Sequence, residues 1–153
     1  MKAPHRVAAL LALAACAFQA SAQQADAAAG RTVFQNTCAA CHNSAGQGTP
    51  GLAPALAGTL GKHADSEDGR RYISQVLLQG LSGRIVSQGQ TFMGAMPSQA
   101  ALSDEQLAAV ASYVAKELNG SAAAPFTVEE FAKARSSKPT HKELRELREQ
   151  LPK

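Results

Sequence analysis

The sequence predicts an all-α domain of three main helices, followed by a short helical extension at the C-terminus. Three observations carry this expectation. Apolar residues recur at helical spacing in separate stretches of the 153-residue chain. The helix-start pattern S/T-x-x-E/Q occurs at Ser103–Gln106, Thr127–Glu130 and Thr140–Glu143. The segments between are broken by glycine and proline, with little of the alternation that marks strands.

The N-terminus reads as a targeting segment and is set aside from the fold. Lys2 and Arg6 form a basic head, Val7 to Ala17 is an apolar run of 11 residues, and Ala20-Ser21-Ala22 supplies the small residues of a cleavage site. The run falls short of the about 20 residues needed to span a bilayer. Residues 1–22 are therefore read as a secretory signal. A competing reading takes Leu13-Ala14-Ala15-Cys16 as a lipobox, with cleavage before Cys16 and a lipid anchor on that cysteine. Both export the protein to the periplasm. The organisation expected is a signal over 1–22, one domain over 23–120, and a linker with helical extension over 121–153.

Helix one is expected from Asp26 to Thr37, with Gly30, Val33 and Phe34 on its inner face. Asn43 to Gly61 reads as irregular, interrupted by Gly46, Gly48, Pro50, Gly51 and Pro54. Helix two runs from about Glu67 to Gln79, with Ile73, Val76 and Leu77 at helical spacing and Gly80 as its stop. Gly83 to Pro97 reads as loop with a small hairpin around Ser87-Gln88-Gly89. Helix three starts at the Ser103 cap, carries the stripe Leu107, Val110, Val114 and Leu118, and ends at Asn119-Gly120. After the linker, the last candidate helix sets Leu144, Leu147 and Leu151 along one side of a charged surface.

Composition narrows the function. Without the signal, 13 Lys/Arg face 12 Asp/Glu, so no nucleic-acid surface is expected. There is no Trp, and five Phe and two Tyr are a thin supply of large core side chains, a gap that a bulky apolar cofactor would fill.

The stretch "NTCAACHNSAG", residues 36–46, names that cofactor. On a helical turn Cys38, Cys41 and His42 stand at i, i+3 and i+4, on one face. C-x-x-C-H is the attachment signature of c-type haem, where two thiols become thioethers and the adjacent imidazole reaches iron. A zinc site asks for four ligands, and the exported chain has two thiols. A redox dithiol belongs at a strand-to-helix junction, and no strand is expected before Cys38. A disulfide between these two would close a tiny loop and stabilise little.

One histidine leaves the opposite axial position to be filled. Met93 and Met96 share the loop before helix three. Met96 precedes Pro97, whose fixed φ stiffens the loop, and is the expected iron ligand; Met93, next to Phe92, reads as core packing. His63, beside Lys62, reads as a surface residue, and His141 lies in the extension. A thioether favours ferrous iron, and two protein ligands together leave no position for substrate.

From Asp26 to Gly120 the sequence resembles class I c-type cytochromes, through "CAACH", "GQGTPGLAPALAG", "GLSGRIVSQGQTFMGAMP" and "LSDEQLAAVASYV". The later motifs look most like those of cytochromes that accompany periplasmic dehydrogenases. The resemblance implies a cytochrome c-like fold with one covalent haem c on Cys38 and Cys41, and His42 and Met96 as axial ligands. It also implies that the Pro54 carbonyl orients the His42 ring. Gly30 and Phe34 match the family's first helix, which crosses the last near an aromatic, here Tyr113. Asn43 stands where the family often has glycine, and the extension after Pro125 exceeds the minimal domain.

The function expected is periplasmic one-electron transfer, not catalysis, between a dehydrogenase or quinol-oxidising complex and a terminal acceptor. The alternative is a haem subunit held permanently in a dehydrogenase complex, with the Leu144/Leu147/Leu151 stripe as its anchor.

Overall fold

The computed structural model describes residues 27–152; the signal over 1–22 and the alternative lipid site at Cys16 lie outside them. Among the described residues no helix is long and apolar enough to cross a membrane.

Helix α1 covers 27–42 without a break, although its turns change character. A π-helical turn, Phe34–Cys38, joins an α-helical start to the closing turn Ala39–His42. Such single wide turns are inserted where a helix must re-aim its side chains, often at functional sites. The short α2, Gly61–Ala64, begins where the region expected to be irregular ends. Helix α3, Glu67–Gln79, is capped by Ser66, whose side chain accepts from the Gly69 amide. Helix α4, Asp104–Lys116, carries the full capping box expected at Ser103 and Gln106. Helices α5, Val128–Ala134, and α6, His141–Gln150, start at Thr127 and Thr140 with the same reciprocal device.

Two small antiparallel ladders lie between α3 and α4. The hairpin of β2, Ile85–Ser87, with β3, Gln90–Phe92, turns through Gln88 and Gly89, both at positive φ (49° and 76°), as a tight two-residue hairpin requires. The pair β1, Leu81–Ser82, with β4, Ala95–Met96, sets Leu81 opposite Met96. This second pair is absent from the sequence-based expectation.

The core falls into two clusters. One joins α1 to α4 through Phe34, Val110 and Val114, with Cys38, Ala39 and Leu118 packed against it. Gly30 makes the crossing possible: a Cβ there would stand 2.2 Å from the Ala109 carbonyl oxygen. Phe34 then meets Tyr113 with ring centroids 5.5 Å apart, as the resemblance implied.

The second cluster unites α3 and α4 with the extension. Phe126, Phe131, Leu144 and Leu151 are all buried in it, and Leu147 packs against it. The leucine stripe thus lies within the chain's own core, where the permanent-subunit reading had placed it on a partner. Two arginines fasten the extension. Arg70 donates from Nε and Nη2 to the Glu130 carboxylate, both at 2.7 Å, and from Nη1 to the Ala124 carbonyl at 2.8 Å. Its guanidinium also lies 4.0 Å from the centre of the Phe126 ring. Arg135 reaches Asp104 at 2.6 Å and the carbonyls of Ala100 and Leu102. These planar forks satisfy helix ends and loop carbonyls together.

Gly30→Ala forces α1 and α4 apart; the expected loss is about 1–3 kcal/mol of unfolding free energy. Urea titration of the haem-loaded protein should show a lower midpoint with an unchanged slope, and an unmoved midpoint would disprove the close crossing.

Candidate functional site

A largely apolar cleft opens between the two core clusters. The structure brings to it the residues the sequence singled out: Cys38, Cys41, His42, Pro54 and Met96 all line it. His42 comes from the last turn of α1 and is 6% exposed. Its Nδ1 lies 2.9 Å from the Pro54 carbonyl oxygen, so Nδ1 carries the proton and Nε2 is left free as a ligand nitrogen. Burial lowers the imidazole's affinity for a proton, and the Pro54 bond offsets only part of that. A neutral ring with one fixed nitrogen is what a metal requires of histidine.

The loop after His42 builds that bond. The Gly48 amide donates to the His42 carbonyl at 2.9 Å, and Thr49 bridges to Ala53. Thr49 Oγ1 donates to the Cys41 carbonyl at 2.8 Å, closing the loop back on the helix end. Asn43 adopts φ 62°, a backbone region that favours glycine, and its Nδ2 donates to the Gly48 carbonyl. The departure from the family's glycine is therefore held by a side-chain bond that glycine lacks.

Cys38 and Cys41 are not joined to each other. Burial, then the neighbouring Cys41, push the Cys38 thiol up to about 11. A buried thiol that holds its proton is a poor redox nucleophile.

Met96 sits on β4, half-buried, and packs against the core cluster of α3 and α4. Its strand partner Leu81 and the close approach of Gly80 fix it there; a Cβ on Gly80 would lie 2.4 Å from the Met96 carbonyl oxygen. Met93 is 71% exposed and does not line the cleft. The expectation that it packs in the core is thus corrected. The residue that faces inward here is Phe92, at the end of β3.

His63 needs a second correction. It is 8% exposed, not a surface residue, and its Nε2 lies 3.1 Å from the Pro152 carbonyl oxygen. Its neighbours Lys62 and Asp65 are polar, but the cover comes from the far end of the chain, beyond the reach of local reading. His141, in the extension, contacts Ser82 Oγ and the Gln79 carbonyl.

Two unpaired thiols, a neutral imidazole and a thioether around an apolar cleft fit a covalently held haem and leave the chain's aromatic-poor interior explained. Comparison with known proteins decides the family. Residues 27–117 match the family model described as Cytochrome c. The chain belongs to the cytochrome c family. It is 41% identical over 120 residues to cytochrome c-552 of Thermus thermophilus, covering 74% of this chain and 90% of that protein. The same identity and span hold for a second cytochrome c-552 of Thermus thermophilus, with 80% of that protein covered. Cytochrome c6 of Leptolyngbya boryana is 40% identical over 91 residues, covering 59% of this chain and 91% of that protein. As a cytochrome c the chain binds one covalent haem c, with Cys38 and Cys41 in the haem-binding region, and its role is that of an electron carrier.

Gly80 has φ 74° and ψ −175°, a backbone region almost confined to glycine. Gly80→Ala should cost about 2 kcal/mol or more, since backbone strain adds to the clash with Met96. Gly120→Ala, at φ 62° with open space around it, provides the control for strain alone. Calorimetric melting of the loaded protein should rank Gly80→Ala clearly below Gly120→Ala; equal losses would show that Gly80 does not constrain Met96.

Proposed function

We propose that the protein is a periplasmic one-electron carrier. Cys38 and Cys41 hold the haem as thioethers, His42 and Met96 bind its iron, and the Pro54 carbonyl orients His42. Bound haem supplies a ferric/ferrous couple. The observation that carries the reading is the meeting of the His42 ring and Met96 on one apolar cleft, while Met93 stands in solvent. The chain's own part is to hold both ligands in place through each transfer, so that little reorganises when an electron arrives or leaves. Pro54 fixes the imidazole from behind. The β1–β4 ladder fixes the thioether side. The apolar walls keep water from the couple.

Electrons would pass between a dehydrogenase or quinol-oxidising complex and a terminal acceptor. Leu52 lines the cleft and is 55% exposed, so an apolar side chain is available for docking at its rim. Residues 23–124 carry six Lys/Arg against seven Asp/Glu, which argues against a strongly basic docking ring. Brief, small contacts suit such a surface. The permanent-subunit reading has lost its motive, since its anchor leucines are used inside the chain.

Met96→Ala should open the iron to carbon monoxide, visible as a shift in the reduced spectrum, while wild type and Met93→Ala remain unchanged. A wild-type shift would move the function to ligand binding or sensing, and a shift in Met93→Ala alone would reassign the ligand. Stopped-flow reduction by a partner should change less than about tenfold in rate between low and physiological salt, because charge steering is weak here. A steep salt dependence would refute the apolar docking rim.

A further inference from the structure

Met96 is tied down on its two sides by different parts of the chain. On the C-terminal side the end of α3 does the tying. Ser98 Oγ donates to the Leu78 carbonyl at 2.5 Å, and the Gln99 amide donates to the Leu77 carbonyl at 2.8 Å. On the other side Met96 depends on the β1–β4 ladder, two residues from each strand. Among the described residues β4 pairs with no other strand. A ladder this short is marginal in water unless another element packs on it.

The element that packs on β1 is α6. His141, in its first turn, spans the corner at Gly80 and Leu81 and touches both ends. Its Nε2 lies 3.2 Å from the Gln79 carbonyl oxygen, and its Nδ1 meets Ser82 Oγ. A carbonyl only accepts, so Nε2 carries the proton and Nδ1 takes the Ser82 O–H. One turn on, Arg145 Nη1 donates to the Ser82 carbonyl. The same guanidinium lies against Gly83, where a Cβ would stand 2.8 Å from it. Gly83 in turn donates its amide to the Gly94 carbonyl, just ahead of β4. His141, Leu144 and Arg145 share one face of the helix, at i, i+3 and i+4. Leu144, 1% exposed, joins the core cluster that holds Leu81 and against which Met96 packs. An apolar contact and two polar hooks thus converge on one two-residue strand.

We propose that His141 and Arg145 are positioning residues for Met96: α6 clamps β1, and β1 sets the place of the thioether. The inference rests on the reading of Met96 as an iron ligand. Methionine has a flexible, unbranched side chain, so the backbone that carries it must supply the constraint. Leu144 gives the clamp its burial, and the two polar side chains aim it at Ser82. The C-terminal extension then has a task beyond covering the core. It keeps the sixth ligand from leaving.

The test uses full-length, haem-loaded protein and follows how fast carbon monoxide shifts the reduced spectrum, a rate that reports release of the sixth ligand. His141→Leu keeps an apolar contact and removes both hydrogen bonds, and the rate should rise about tenfold. His141→Gln retains a donor and an acceptor and should stay within about threefold of wild type. Ser82→Ala deletes one hydroxyl and keeps the test readable should His141→Leu fail to fold; about a threefold rise is expected for it and for Arg145→Met. Arg70→Met is the control. It unfastens the extension at the start of α3, far from β1, and should lower the melting temperature while leaving the rate within about twofold of wild type. If His141→Leu and Ser82→Ala are no faster than Arg70→Met, or His141→Gln is as fast as His141→Leu, the clamp is wrong. Met96→Ala separates this failure from the larger one. A wild type that reacts as fast as Met96→Ala removes the ligand reading itself, whereas a slow wild type with unmoved His141 and Ser82 variants sinks only the clamp.

Discussion

The bond from His42 Nδ1 to the Pro54 carbonyl is the contact around which the rest is arranged. A metal-binding imidazole must be neutral, must offer a chosen nitrogen, and must not rotate. One backbone carbonyl 12 residues away meets all three demands, provided the intervening loop is held. The loop is held by Thr49 bridging to Ala53, by Gly48 on the His42 carbonyl, and by Thr49 Oγ1 on the Cys41 carbonyl. The helix beneath is held in turn by the Gly30 crossing and the Phe34–Tyr113 contact. Each support acts on the next, so the position of one ring is traced back to the packing of two helices.

The parts legible in the sequence are those whose cause is local. The capping boxes at Ser103, Thr127 and Thr140 were readable because each needs only four consecutive residues, and all three form. The hairpin at Gln88-Gly89 was readable for the same reason. In the C-x-x-C-H turn, spacing alone places three side chains on one face. The wide turn Phe34–Cys38 was not legible, since neither composition nor period marks a π-turn. The pairing of Leu81 with Met96 joins two-residue segments far apart in the chain, with no alternation to announce them. Met93 was misassigned because, beside a strand of three residues, the inward face is set by the partner strand and not by local pattern.

His63 shows the same limit more sharply. Lys62 and Asp65 describe a solvated stretch, and locally they are right: both are exposed. The ring is covered by Pro152, 89 residues later, and by packing on Tyr72. A buried histidine with one nitrogen matched and the other not is expensive unless something else in the site completes it. That cost is what separates His63 from a residue merely caught under a loop.

Charge carries the argument from the core to the extension. Residues 23–124 have six Lys/Arg and seven Asp/Glu, a formal −1, and residues 125–153 have seven and five, a formal +2. Two haem carboxylates deepen the deficit of the core. The imbalance alone gives weak attraction, because exposed charges are screened within about 8 Å at physiological salt. What turns it into structure is where the arginines sit. Arg70 and Arg135 fasten the extension as part-buried forks on carboxylates and carbonyls, and Arg148 lines the cleft. Arg135 and Arg148 of the extension thus work inward, in keeping with the weak steering of partners that the near-neutral total implies.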